Sequence, residues 1–96
     1  MYAIKTTREF EKDVRRCVKR GLPIDELRKV MKLLERDGIL PANYRPHKLT
    51  GDRRGQWECH IKPDWLLVWE RRDDELVLLM LNTGTHADIF GKKRKR

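Results

Sequence analysis

Residues 55–71 read GQWECHIKPDWLLVWER, with Trp57, Glu58, Cys59, His60, Ile61 and Lys62 before Pro63-Asp64 and an apolar run after it. The first half alternates polar and apolar side chains, the proline–aspartate pair is a turn signal, and the second half is almost continuously apolar. That order predicts a β-hairpin with one half-wet strand and one strand covered on both faces. Period-two geometry puts Trp57, Cys59 and Ile61 on one face and Glu58, His60 and Lys62 on the other. The apolar set belongs to a core, so the carboxylate, imidazole and ammonium share the opposite side. Residues 75–81 are nearly all apolar, as a central strand is, and Arg72-Asp73-Asp74 is the turn before them. Upstream, 47–50 reads as a short strand leading into the turn 51–55. Downstream, Asn82-Thr83-Gly84-Thr85 is expected to break the sheet, and 86–90 fits one short helical turn or loop.

The preceding half is helical. Residues 2–5 lean towards a first strand. Thr6-Thr7-Arg8-Glu9 then has the form of a capping box with Thr6 as N-cap and Glu9 at N3. Phe10, Val14 and Cys17 recur at helical spacing up to Gly21. Pro23 suits the first turn of a second helix, Asp25 and Glu26 complement its positive end, and Leu27, Val30, Met31 and Leu34 form its buried stripe. Gly38 is the natural left-handed cap. Residues 39–46 form a proline-bracketed linker without periodicity. The expected fold is α+β: an N-terminal helical hairpin packed on one face of a small antiparallel sheet, as one domain over 1–91, with 92–96 a disordered basic tail.

Composition narrows the function. The chain has 96 residues, 39% hydrophobic and 40% charged, enough for one modest core. No run approaches the roughly 20 apolar residues of a membrane span, and the start MYAIKTTREF lacks the apolar centre of a secretory signal. Cys17 and Cys59 have no CxxC spacing and read as buried free thiols in a reducing cytoplasm. The net charge is +8; Lys92-Lys93-Arg94-Lys95-Arg96 carry five of these charges and leave +3 for 1–91. An acidic partner follows, either nucleic acid or an acidic protein.

The polar face admits two readings, a solvated sheet surface or an acid–base cluster. His47 begins the strand before the hairpin and His86 follows the central strand, so all three histidines fall in the sheet half, outside the helical stripes. Cleavage of RNA by its own 2′-hydroxyl needs a base, an acid and cations for the phosphorane charge. Histidines, carboxylates and lysines on a basic face supply these without a metal. No pair of ligands has the spacing of a zinc motif, so neither metal nor cofactor is expected. Trp57, Trp65 and Trp69 suit the core. Phe90, after His86, is the better platform for an unpaired base.

The string His47-Lys48-Leu49-x-Gly51, then Glu58-x-His60-x-x-Pro63-Asp64-Trp65-Leu66-Leu67-x-Trp69, then Thr83-Gly84-Thr85-His86-Ala87-x-x-Phe90-Gly91 resembles the YafQ branch of RelE-type toxins over nearly the whole chain. The resemblance implies a RelE-like fold and the toxin half of a type II toxin–antitoxin module. It implies a ribosome-dependent endoribonuclease that enters the A site and cuts mRNA, restrained by a cognate antitoxin. His47, His60, Asp64 and His86 match the positions for acid–base work and phosphate orientation, with His86 as general acid. Lys48, Glu58, Lys62, Trp65, Asn82 and Phe90 complete the implied substrate-binding set, Glu58 standing where an aspartate is usual. Asn82 departs from the pattern, which has an arginine there. Losing that cation costs on the order of 10²–10³ in rate unless Lys48, Lys62 or Arg53 replaces it. The same fold in ParE-type gyrase inhibitors, and a non-catalytic RNA- or ribosome-binding protein, are the alternative implications.

Overall fold

In the computed structural model, which describes residues 1–91, five strands form one sheet. The elements in order are β1 (Ala3–Thr6), α1 (Arg8–Lys19), α2 (Ile24–Asp37), β2 (His47–Lys48), β3 (Trp57–Lys62), β4 (Trp65–Arg72), β5 (Val77–Gly84) and α3 (His86–Phe90). Single 3₁₀ turns at Ala42–Tyr44 and Gly51–Arg53 flank β2. The expected basic tail, 92–96, lies outside the described residues.

The strand order is β1-β5-β4-β3-β2. The expected α+β layering is present, with one correction: the sheet is mixed. β2 to β5 are antiparallel neighbours, whereas β1 joins β5 in parallel, Ala3 opposite Val77 through Thr6 opposite Met80. A four-residue edge strand carries no pattern that names its partner. The middle strand is β4; β5 is interior but one place further out.

Phe10, Cys17, Leu27, Val30 and Leu34 from the helices meet Cys59, Ile61, Trp65, Leu67, Trp69, Leu78 and Met80 from the sheet in the main core. Each large apolar side chain fully buried there contributes about 1.5–3 kcal/mol. Leu40 is buried too, so the 39–46 linker is anchored at that residue. The opposite face is not simply polar. Leu66, Val68 and Ile89 are buried there with Leu49, Leu81 and Phe90 packed around them, because α3 folds back over the sheet.

Two boundaries moved for stated reasons. Thr6 is held in β1 against Met80, so α1 starts one residue later than expected. Thr7 is its N-cap, accepting from the Phe10 N–H, while the Thr6 hydroxyl donates to Glu11. Asn82-Thr83-Gly84 does not break the sheet but continues β5, opposite Val68, Leu67 and Leu66. Its polar side chains are tolerated because Thr83 finds buried partners: it accepts from Trp65 Nε1 at 2.9 Å and donates to the Leu66 carbonyl at 2.7 Å. Gly38 caps α2 in the left-handed region, as its position predicts. Both cysteines are buried and free. Burial pushes the Cys59 thiol up to about 12, with the nearby Glu58 charge adding to it, and raises that of Cys17.

Candidate active site

His47 and Glu58 face each other across β2 and β3. The carboxylate is buried, and its Oε1 lies 3.0 Å from His47 Nε2. His47 Nδ1 lies 3.0 Å from the carbonyl of Arg45. A carbonyl only accepts, so Nδ1 is the donor to Arg45, and Nε2 is the ring atom turned to the Glu58 carboxylate. The second carboxylate oxygen, Oε2, is buried without a hydrogen-bond partner among the described residues.

His60 is half-buried on the same face, its ring centroid 6.4 Å from that of His47. Its Nδ1 sits 3.2 Å from the Pro63 carbonyl, which fixes the proton on Nδ1 and leaves Nε2 with a lone pair when the ring is neutral. Such a nitrogen can take a proton. The turn that positions Pro63 also exposes Asp64, whose Oδ1 accepts from the His86 N–H at 3.4 Å.

His86 is the exposed first residue of α3. Thr85 caps that helix in a reciprocal box with Asp88. Asp88 is clamped by Arg20 at 2.6 and 3.1 Å and approached by Arg16 at 3.5 Å. Its hydrogen bonds from Arg20, and then those from Thr85, hold its carboxyl well below the usual carboxylate range. One turn along α3, the Phe90 ring lies 5.3 Å from the His86 ring. His60 pairs with Leu66 and Leu66 with Gly84, so β3, β4 and the start of α3 lie in one line across the sheet.

The register therefore brings His47, Glu58 and His60 together in one group and Asp64, His86 and Phe90 in another. Two implied substrate contacts are not brought there. Trp65 is 2% exposed in the main core with its N–H committed to Thr83, so its ring has no face free for a base. Lys48 pairs with Trp57 and its Nζ lies 5.7 Å over that ring; alternation turns it to the face opposite His47. Lys62 is exposed at the end of β3 beside the turn. Asn82 is half-buried and accepts from Arg53 at 2.9 Å. Arg53 itself was legible only as one of three possible cations, because its partner lies 29 positions along the chain. The Asp13 carboxylate of α1, which receives the Thr83 N–H and the Asn82 amide, carried no functional signal at all. Among the described residues, no group of three or more His, Cys, Asp or Glu is placed to hold a metal ion.

Residues 2–91 match the family described as bacterial toxins of type II toxin–antitoxin systems, YafQ. The chain belongs to this family. The mRNA interferase toxin YafQ of Escherichia coli K12 is 36% identical over 89 residues, covering 92% of this chain and 95% of that protein. Messenger-RNA interferases are endoribonucleases. In the E. coli DinJ–YafQ complex, a matching chain superposes with a TM-score of 0.85 at 35% identity, covering 95% of this chain and 100% of that one. A metal-bound toxin from Helicobacter pylori superposes with a TM-score of 0.86 at 36% identity, covering 94% and 100% respectively. These likenesses give the chain the YafQ family's RelE-like α+β fold.

Proposed function

We propose that this chain is an endoribonuclease toxin that cuts mRNA in the ribosomal A site of the cytoplasm, without a metal, and is silenced by a cognate antitoxin. The observation that supports the reading is that two groups, His47–Glu58–His60 on β2 and β3 and Asp64–His86–Phe90 at the β3–β4 turn and α3, are carried by adjoining elements of one sheet. The half-buried His60 then offers a lone-pair nitrogen, and the exposed His86 and the Phe90 ring offer an acid and a stacking platform. His60 Nε2 takes the 2′-hydroxyl proton, the 2′-oxygen attacks phosphorus, and a phosphorane forms. His86 gives a proton to the departing 5′-oxygen, leaving a 2′,3′-cyclic phosphate and a 5′-hydroxyl. His47, held by Glu58, helps orient the phosphate, Asp64 steadies the start of α3, and Phe90 stacks on a base. The DinJ complex of the E. coli relative supports a protein antitoxin here.

The test is mapping of 5′ ends after incubating purified protein with mRNA-programmed ribosomes. Cleavage on ribosomes but not of naked mRNA, with cyclic-phosphate ends, is expected. His86→Ala should lower the rate on the order of 10²–10⁴-fold. Wild-type protein that leaves ribosome-bound mRNA intact refutes the proposal. Cleavage ending in 5′-phosphates refutes the metal-free 2′-hydroxyl route.

A further inference from the structure

Cleavage through a phosphorane places extra negative charge on non-bridging oxygens, and a fixed cation is the natural answer to it. Among the candidates, Lys48 lies over Trp57 on the other face, and Lys62 is an exposed, flexible chain at a strand end. Arg53 differs from both. It is half-buried in the turn Gly51–Arg53, and its guanidinium is held at three points. One terminal nitrogen donates to Gln56 Oε1 at 2.9 Å, the other to Asn82 Oδ1 at 2.9 Å, and Cζ lies 5.4 Å from the centroid of Phe90. Phe90 in turn is 5.3 Å from His86. Arg53 also lines two hollows, of about 390 and 210 Å³, the first shared with Glu9, Asp13 and Asp88 and the second with Leu49, Thr50, Asp52 and Phe90.

We infer that Arg53 is a catalytic residue of this site: it binds the scissile phosphate beside His86 and carries the transition-state charge. The inference rests on the endoribonuclease reading above. Its two side-chain hydrogen-bond partners, Gln56 and Asn82, are neutral amides, so the bonds that orient the fork add no charge of their own, and the carboxylates of Glu58 and Asp13 act on it from further away. Two N–H groups are used in this way, of the five a guanidinium carries. Asn82 is the positioning residue. Its oxygen accepts from Arg53 while its nitrogen donates to Asp13 at 3.3 Å, and that second bond fixes which end of the amide faces the guanidinium. A neutral amide at 82 is thus a support for a cation arriving from the turn. Preorganisation of this kind is what makes a cation effective in a transition state. Burial lowers the Arg53 pKa, against the raising effect of the Glu58 and Asp13 charges, and the same partial desolvation strengthens its pull on a phosphate.

The experiment compares wild type, R53A, R53K and H86A on mRNA-programmed ribosomes, with and without low-millimolar guanidinium chloride. R53A should lose on the order of 10²–10³ in kcat with KM changed only a few-fold. Added guanidinium should restore part of the R53A rate and none of the H86A rate, which a merely structural role for Arg53 would not produce. R53K keeps the charge without the fork and should fall between, about tenfold down or more. If R53A does not fold, R53K decides: a loss of that size supports the inference and a wild-type rate overturns it. An active wild type with an undiminished R53A, or a folded, impaired R53A that guanidinium does not rescue, overturns the role of Arg53 and leaves the endoribonuclease reading standing. An inactive wild type overturns both.

Discussion

The Thr83 hydroxyl sits fully buried between β4 and β5, accepting from Trp65 Nε1 and donating to the Leu66 carbonyl. Thr83→Val preserves shape but strands the indole N–H, a loss of about 1–3 kcal/mol. Urea unfolding should show a lower midpoint with an unchanged slope. Asp88 gives the corresponding electrostatic case. Its folded pKa is depressed below the unfolded value of about 3.9, so its contribution is present above that pH and is lost as pH falls through the folded value. Asp88→Asn should therefore be less stable than wild type at neutral pH, and the gap should shrink in acid-unfolding curves below about pH 4. The nature of these residues was readable; their partners were not. Trp65 looks the same in sequence whether its ring stacks on a base or lies under the sheet, and only the Thr83 hydrogen bond tells the two apart.

At the scale of the element, α3 is the instructive one. Five residues are far too few for a helix to persist alone, so its place depends on the Thr85–Asp88 box, the Arg20 clamp and the burial of Ile89. Gly84 makes this possible. Its φ is +151°, and a Cβ there would come within 2.7 Å of Asp88 Oδ2. Gly84→Ala is expected to push Asp88 out of its cap and tilt His86 off the site. Misplacement of about 1 Å costs on the order of 10²-fold in rate, so cleavage should fall far more than the thermal midpoint does. The short helical turn was visible as a possibility in the 86–90 pattern. The continuation of β5 up to Gly84 was not, because Asn82-Thr83-Gly84 has turn composition and is kept extended by its pairing with β4.

Across the whole molecule, both faces of the sheet carry apolar clusters, a large one under α1 and α2 and a smaller one under α3. The helices close the main core, which includes Cys17 and Cys59, both 0% exposed. Neither thiol should react with iodoacetamide in the native protein near neutral pH, and both should react in denaturant; native-state labelling of Cys59 would contradict this packing. The +8 net charge makes association with an acidic antitoxin or with ribosomal RNA an electrostatic process in part. Affinity measured from low to high salt should fall steadily. A salt-independent affinity would mean that apolar contact dominates.

By itself the sequence determined the two amphipathic helices, the hairpin and its two faces, and the set of three histidines with Asp64, because these rest on local periodicity and on side-chain chemistry. Only the tertiary structure decided which face is occupied, where β1 pairs, and which cation Asn82 holds. Those depend on contacts between residues distant in sequence: Thr6 on Met80, Thr83 on Trp65, Asn82 on Arg53. Lys48 and Arg53 have the same charge and lie five positions apart. Strand alternation turns the first away from His47, and two amides hold the second over Phe90.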